Sequence, residues 1–125
     1  MGISIRGSNI VVEKNDFSNP EWAGVYVDAG SNHYIRDNII GGKRVTGQLS
    51  KRGIIFGVPT LHKTTLVSGN SINADVGVRV KTPPKSLIIL NNAIVRDSEY
   101  ISIEFDTSEN EYSIVSEGWH SYNPD

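Results

Sequence analysis

Apolar and polar residues alternate with period two in short runs along the whole chain. One kind of run is a glycine followed by apolar-x-apolar. It occurs as Gly2-Ile3-Ser4-Ile5, Gly24-Val25-Tyr26-Val27, Gly53-Ile54-Ile55-Phe56 and Gly77-Val78-Arg79-Val80. Tyr100-Ile101-Ser102-Ile103 reads as a fifth copy that lacks the glycine. The four glycines stand 22, 29 and 24 residues apart, so the chain repeats with a period near 24 and one longer unit. Self-similarity at such a period is the mark of a repeat architecture. Strict alternation predicts strands with one buried face, and no window carries a helical period.

A second run follows each first one: apolar-x-apolar, two residues, Asn, x, apolar. The copies are Ile10-x-Val12 then Asn15-x-Phe17; His33-x-Ile35 then Asn38-x-Ile40; Thr65-x-Val67 then Asn70-x-Ile72; Leu87-x-Ile89 then Asn92-x-Ile94; and Tyr112-x-Ile114 then Glu117-x-Trp119. No Asn-Gly or Asp-Gly dipeptide joins the runs, so hairpins are poorly supported. If each unit is one coil, the asparagines stack at the strand spacing of about 4.8 Å. Each side-chain amide then bonds its neighbour and the turn backbone, which is what makes a buried Asn tolerable.

The ladder Asn15, Asn38, Asn70, Asn92 and the glycine-led starts resemble the right-handed parallel β-helix of the pectin-lyase-like superfamily. The resemblance runs from Gly2 to about Trp119. It implies an all-β fold, a right-handed parallel β-helix solenoid of about five coils with a stacked asparagine ladder. That fold carries lyases, hydrolases, epimerases, phage tailspikes and adhesins, so it does not by itself name an activity. The first coil is in register from Gly2 without a cap, although terminal coils need one. Residues 1–125 are therefore read as one domain, a fragment of a longer solenoid, with a basic loop insertion at 41–52 and a tail at 118–125.

The inward residues are Ile3, Ile5, Val25, Val27, Ile54, Phe56, Val78, Val80, Ile101 and Ile103 on the first sheet. Facing them are Val12, Ile35, Val67, Ile89 and Ile114, and Phe17, Ile40, Ile72, Ile94 and Trp119 follow each turn. These are core positions. His33 sits in a slot that Ile10 and Leu87 hold elsewhere and reads as a hydrogen-bonded structural histidine, not a metal ligand.

Two outward columns on the first sheet are candidates for chemistry: Ser4, Tyr26, Ile55, Arg79, Ser102 and Arg6, Asp28, Gly57, Lys81, Glu104. Tyr26 offers a ring to a pyranose, and Arg79 and Lys81 suit a carboxylate. The plainer reading is a solvated face of alternating charge, Arg6–Asp28 and Lys81–Glu104. Asp28 and Glu104 stand three coils apart, roughly 14 Å at about 4.8 Å per coil. A glycosidase pair needs roughly 5–5.5 Å or 6.5–9.5 Å. Of the motifs of the pectin-degrading branch, only Arg79-Val80-Lys81 matches an Arg-x-Lys, and the lyase calcium cluster is unmatched. A complete catalytic site within these residues is not expected. Lys43 and Arg44, in the basic loop, are further sugar contacts, because loops on a rigid scaffold commonly carry function. On the second sheet Val11, Tyr34, Leu66 and Ile88 line up outward, continued by Ser113, with Leu90 and Val115 beside them. An exposed apolar stripe points to a partner surface.

Composition narrows the classes. Twelve Lys and Arg against 14 Asp and Glu give a net charge of −2, unlike a nucleic-acid binder. The absence of cysteine excludes disulfides, thiolate metal sites and cysteine nucleophiles. No cofactor and no metal are expected. No apolar run approaches the roughly 20 residues of a membrane span. Met1-Gly2-Ile3-Ser4-Ile5 does not read as a signal peptide. The resemblance places the protein outside a cell or on a virion, as part of a phage tailspike-like trimer that binds, and in the assembly degrades, a bacterial surface polysaccharide. Its alternatives are a secreted lyase or epimerase of the same superfamily and a non-catalytic spacer.

Overall fold

The computed structural model describes residues 2–17, 23–28, 30, 32–41, 52–57, 64–74, 76–81, 86–95, 101–105, 113–117 and 120–122. Among them there is no helix, and fifteen strands form three five-stranded sheets. Sheet A contains β1 (Ile3–Ile5), β4 (Ala23–Val27), β7 (Arg52–Phe56), β10 (Val76–Val80) and β13 (Ile101–Phe105). Sheet B contains β2 (Val11–Glu13), β5 (Tyr34–Arg36), β8 (Thr64–Ser68), β11 (Ser86–Leu90) and β14 (Ser113–Glu117). Sheet C contains β3 (Asp16–Phe17), β6 (Ile39–Gly41), β9 (Ser71–Asn73), β12 (Ala93–Val95) and β15 (His120–Tyr122). Every strand pairing is parallel. The chain visits A, B and C in turn, and each visit adds one strand beside the last.

The period-two pattern places the core. Val25, Val27, Ile54, Phe56, Val78 and Val80 of sheet A are fully buried. They pack in one cluster with Val12, Ile35, Val67 and Ile89 of sheet B and Ile40 and Ile72 of sheet C. In parallel register like residues fall on like, for example Val25 on Ile54 and Ile54 on Val78. His33 and Thr65, the two polar residues in an otherwise apolar row, meet each other: the His33 amide donates to Thr65 Oγ1 at 3.4 Å. The Ile10 amide donates to His33 Nδ1 at 3.4 Å, so both buried side chains serve as acceptors for backbone N–H groups.

The glycines of the first motif have a packing reason. A Cβ on Gly53 would lie 2.5 Å from Ile72 Cγ2 and 2.6 Å from the Gly77 carbonyl oxygen. Gly2 is crowded likewise by Phe17 and the Gly24 carbonyl, and Gly24 by Ile40. The sheet C side chain thus lies where a larger residue of sheet A would start.

Between sheets B and C the chain turns through one left-handed residue: Lys14 (φ 54°), Asp37 (φ 56°), Gly69 (φ 65°) and Asn91 (φ 54°). Each stands immediately before an asparagine of the second motif. The turns stack by backbone bonds, with Asp37 N donating to Ser68 O at 3.0 Å and Ser71 N to Asn38 O at 2.8 Å.

The fifth unit departs from the sequence alignment by two residues throughout. Val78 pairs with Ile103, not Ile101, and Arg79 with Glu104, not Ser102. Leu87 pairs with Ile114, and Ile89 with Ser116, so Ile114 does not continue the row of Val12, Ile35, Val67 and Ile89. Glu117 stands opposite Leu90, two residues short of the Asn92 slot, and Ser121 stands opposite Ile94. A two-residue slip keeps every side chain on its own face, so alternation does not detect it. The segment read as a tail contains β15, which pairs with β12. The ends of the segment read as a loop, Gly41 and Arg52, lie in β6 and β7.

Candidate functional site

The outer face of sheet A carries one row set by strand register: Ser4, Tyr26, Ile55, Arg79, Glu104. The slip of the fifth unit decides its chemistry. Glu104 lies beside Arg79, with Glu104 Oε1 3.1 Å from Arg79 Nε. It does not pair with Lys81 in register, and Lys81 is exposed. Arg52 also reaches Glu104, at 3.7 Å, from the first position of β7. Two guanidiniums therefore share one carboxylate across three adjacent strands, β7, β10 and β13. All three side chains are only 23–29% exposed.

This face is not the fully solvated ladder of the plainer reading. Ile55 has outward parity, yet it is 1% exposed. Tyr26 is half-buried, and its phenol end occupies the space a side chain would take at Gly57, just past the neighbouring strand β7. Asp28 is held by Arg6 at 2.7 Å. The sequence reading missed Arg52, which it placed at the end of the basic loop insertion. Nothing in the pattern marks it, because only the strand register brings it near Glu104.

The arrangement can position forked N–H donors beside an aromatic ring and an apolar floor. Guanidiniums fixed by a carboxylate are preorganised for planar acceptors. The carboxylates themselves are poorly placed for paired acid–base work. Asp28 directly follows β4 and Glu104 is on β13, with β7 and β10 between them, at least about 14 Å apart at the parallel strand spacing. Each is engaged by arginine. Lys43 and Arg44 lie outside the described residues.

The asparagine row lies in the turn between sheets B and C. Asn38 Nδ2 donates to Asn70 Oδ1 at 2.9 Å, and Asn70 Nδ2 to Asn92 Oδ1 at 2.9 Å. The same oxygens accept the backbone N–H of Asn38 and of Asn70, both at 3.0 Å. Each Nδ2 also donates backward, Asn38 to Val12 O, Asn70 to Ile35 O and Asn92 to Val67 O. Asn38, Asn70 and Asn92 are at most 1% exposed.

The outer row of sheet B is Val11, Tyr34, Leu66, Ile88, Val115, since Ile88 pairs with Val115 and not Ser113. Val11 is 49% and Tyr34 38% exposed, and Leu66 and Ile88 are half-buried. The Arg36 guanidinium lies 5.7 Å from the Tyr34 ring centroid and pairs with Glu13 at 2.7 Å. Among the described residues no group of three His, Asp or Glu could hold a metal, and no helix is long and apolar enough to cross a membrane.

No family model, no curated protein and no solved structure matches this chain. The functional reading therefore rests on the repeat and on the geometry of these rows.

Proposed function

We propose that the three sheets are the walls of a right-handed parallel β-helix of about five coils, resembling the pectin-lyase-like superfamily, and that the outer face of sheet A binds a polysaccharide. The fold reading is supported by the strand order, in which each sheet gains one strand per repeat. The functional reading is carried by one observation: Tyr26, Ile55, Arg79 and Glu104 share a row, with Arg52 joined to it through Glu104. A pyranose has an apolar C–H face for the ring and equatorial hydroxyls or a carboxylate for the guanidinium forks. Binding is favoured over catalysis within one chain because Asp28 and Glu104 anchor arginines.

In this proposal the chain belongs to a phage tailspike-like, extracellular assembly, with Val11, Tyr34, Leu66 and Ile88 on the trimer interface. A neighbouring chain then supplies the second carboxylate for any cleavage. The test is titration calorimetry against a panel of neutral and acidic bacterial polysaccharides. Tyr26→Ala and Arg79→Ala should each weaken binding roughly tenfold or more, the loss of a stacked ring or a charged hydrogen bond. Unchanged affinity in both variants overturns the assignment of this face. Light scattering gives the assembly: a mass near three chains supports the interface, and a monomer at high concentration removes it. Release of unsaturated uronate products by a monomer would favour the lyase alternative.

A further inference from the structure

Gly57 is a glycine for a different reason from those already described. Gly24 and Gly53 are each closed off by a core side chain and by a carbonyl oxygen of the next strand. Gly30, Gly41 and Gly69 hold a positive φ. Gly57 lies outside the left-handed region. The three atoms nearest to a Cβ built on it all belong to one side chain of the outer face of sheet A. That Cβ would collide with Tyr26 Oη and Cζ and lie 3.1 Å from Tyr26 Cε1. The backbone therefore accepts a larger residue at position 57, and the Tyr26 ring is what stands in its way.

The contact fixes how that ring lies. Strand register continues just past β4 and β7: Asp28 N donates to Ile5 O at 2.8 Å, Gly57 N to Val27 O at 3.0 Å and Lys81 N to Phe56 O at 2.9 Å. Arg6, Asp28, Gly57 and Lys81 thus form an outward column beside the row of Tyr26, Ile55 and Arg79. Tyr26 starts in the row, and its hydroxyl ends in the column at the height of a Cβ atom. A ring whose tip is that low lies along the sheet and does not stand off it. It fills the one place in this column that has no side chain, between Asp28 and Lys81. Ile55, beside Tyr26 in the row, is 1% exposed despite its outward parity, as expected under a ring that lies down.

We propose that Gly57 is a positioning residue for sugar binding: its missing side chain lets the Tyr26 ring lie down as a flat platform. The proposal rests on the polysaccharide reading of this face. Stacking needs a ring face parallel to the C–H face of a pyranose, and it is strongest when the ring is held so before the ligand arrives. A ring pushed upright would present its edge and uncover Ile55. Arg79 stands two strands from Tyr26 in the same row, so platform and guanidinium lie along one line. Gly57 touches no sugar in this arrangement and acts through Tyr26.

The experiment is Gly57→Ala in the full chain. Alanine at a compatible φ restricts the unfolded chain, so the urea midpoint should hold or rise slightly. A clear fall would mean that the fold itself demands glycine here and would overturn the proposal. Titration calorimetry should show roughly threefold to tenfold weaker binding of the polysaccharide that the wild type binds best, the worth of one aromatic contact. In a Tyr26→Ala background the same substitution should change nothing, because its effect passes through the ring. Unchanged affinity in Gly57→Ala, or an equal loss in both backgrounds, overturns the proposal. Nitration of Tyr26 by tetranitromethane, read by mass spectrometry against Tyr34, needs no ligand. It should run faster in Gly57→Ala than in the wild type, since a raised ring is more open. An unchanged rate overturns the positioning itself. If the wild type binds no polysaccharide, the sugar reading falls and takes the binding role of Gly57 with it, while nitration still decides whether the glycine sets the ring.

Discussion

Two rows of polar side chains link successive strands of this protein, one in the turn between sheets B and C and one on the outer face of sheet A. The turn row is neutral and buried: Asn38, Asn70 and Asn92 bond each other and the backbone on both sides. The outer face carries charged pairs and is partly wet: Arg6 with Asp28, and Arg79 and Arg52 with Glu104. Both rows cross from strand to strand, yet they do different things. A buried amide has no water to fall back on, so its bonds are obligatory and specify the stacking. An ion pair that keeps access to water exchanges protein contacts for water at less cost than a buried amide does, so its residues can also meet a ligand.

The largest test of this contrast is Asn70→Ala. It removes the donors to Ile35 O and Asn92 Oδ1 and leaves the Asn38 backbone and side-chain N–H groups without their acceptor. The expected loss is about 3–5 kcal/mol, read as a lower urea midpoint. A loss under about 1 kcal/mol would mean that water replaces the amide and that the two rows are equivalent. Asn15→Ala should cost about 1 kcal/mol or less, since Asn15 is exposed. Equal losses at positions 15 and 70 would break the link between burial and energy.

Lys14→Gly sharpens the comparison by changing the turn without touching an asparagine. Lys14 holds φ 54°, where Gly69 occupies the equivalent position of a later unit. Relief of the left-handed strain, offset by the extra freedom of glycine when unfolded, should stabilise by about 0.5 kcal/mol. The smallest effect is expected for Arg6→Ala. Arg6 is 80% exposed, so its 2.7 Å pair with Asp28 should contribute about 0.5 kcal/mol or less and fade with added salt. A salt-resistant loss well above that would place this pair with the buried row.

Much of the architecture was legible in the residues. Parallel all-β pairing followed from alternation that recurs without hairpin turns. The asparagines marked the tight turn, whereas the glycines at 24 and 53 marked only the repeat, and the close approach of Ile40 and Ile72 to them came with the structure. Reading the site succeeded less well, for a definite reason. The alignment set Glu104 beside Lys81 and Ser113 beside Ile88, whereas the strands set Glu104 beside Arg79 and Val115 beside Ile88. Both errors are the same two-residue slip, which changes every neighbour and no face. Burial of Ile55 was equally hidden, since its parity is outward.

By itself, then, the order of residues determined the alternation of faces along each strand, where the asparagine turns fall and how often the unit repeats. Those properties depend on side-chain polarity and backbone freedom, which are local. Only the tertiary structure decided which outward residues are neighbours, that Arg52 and Arg79 converge on Glu104, and that Asn15 is exposed where Asn38, Asn70 and Asn92 are buried. Those properties depend on register between strands more than twenty residues apart in sequence. Register is set by packing and hydrogen bonding across units, and a two-residue repeat in polarity carries no record of it.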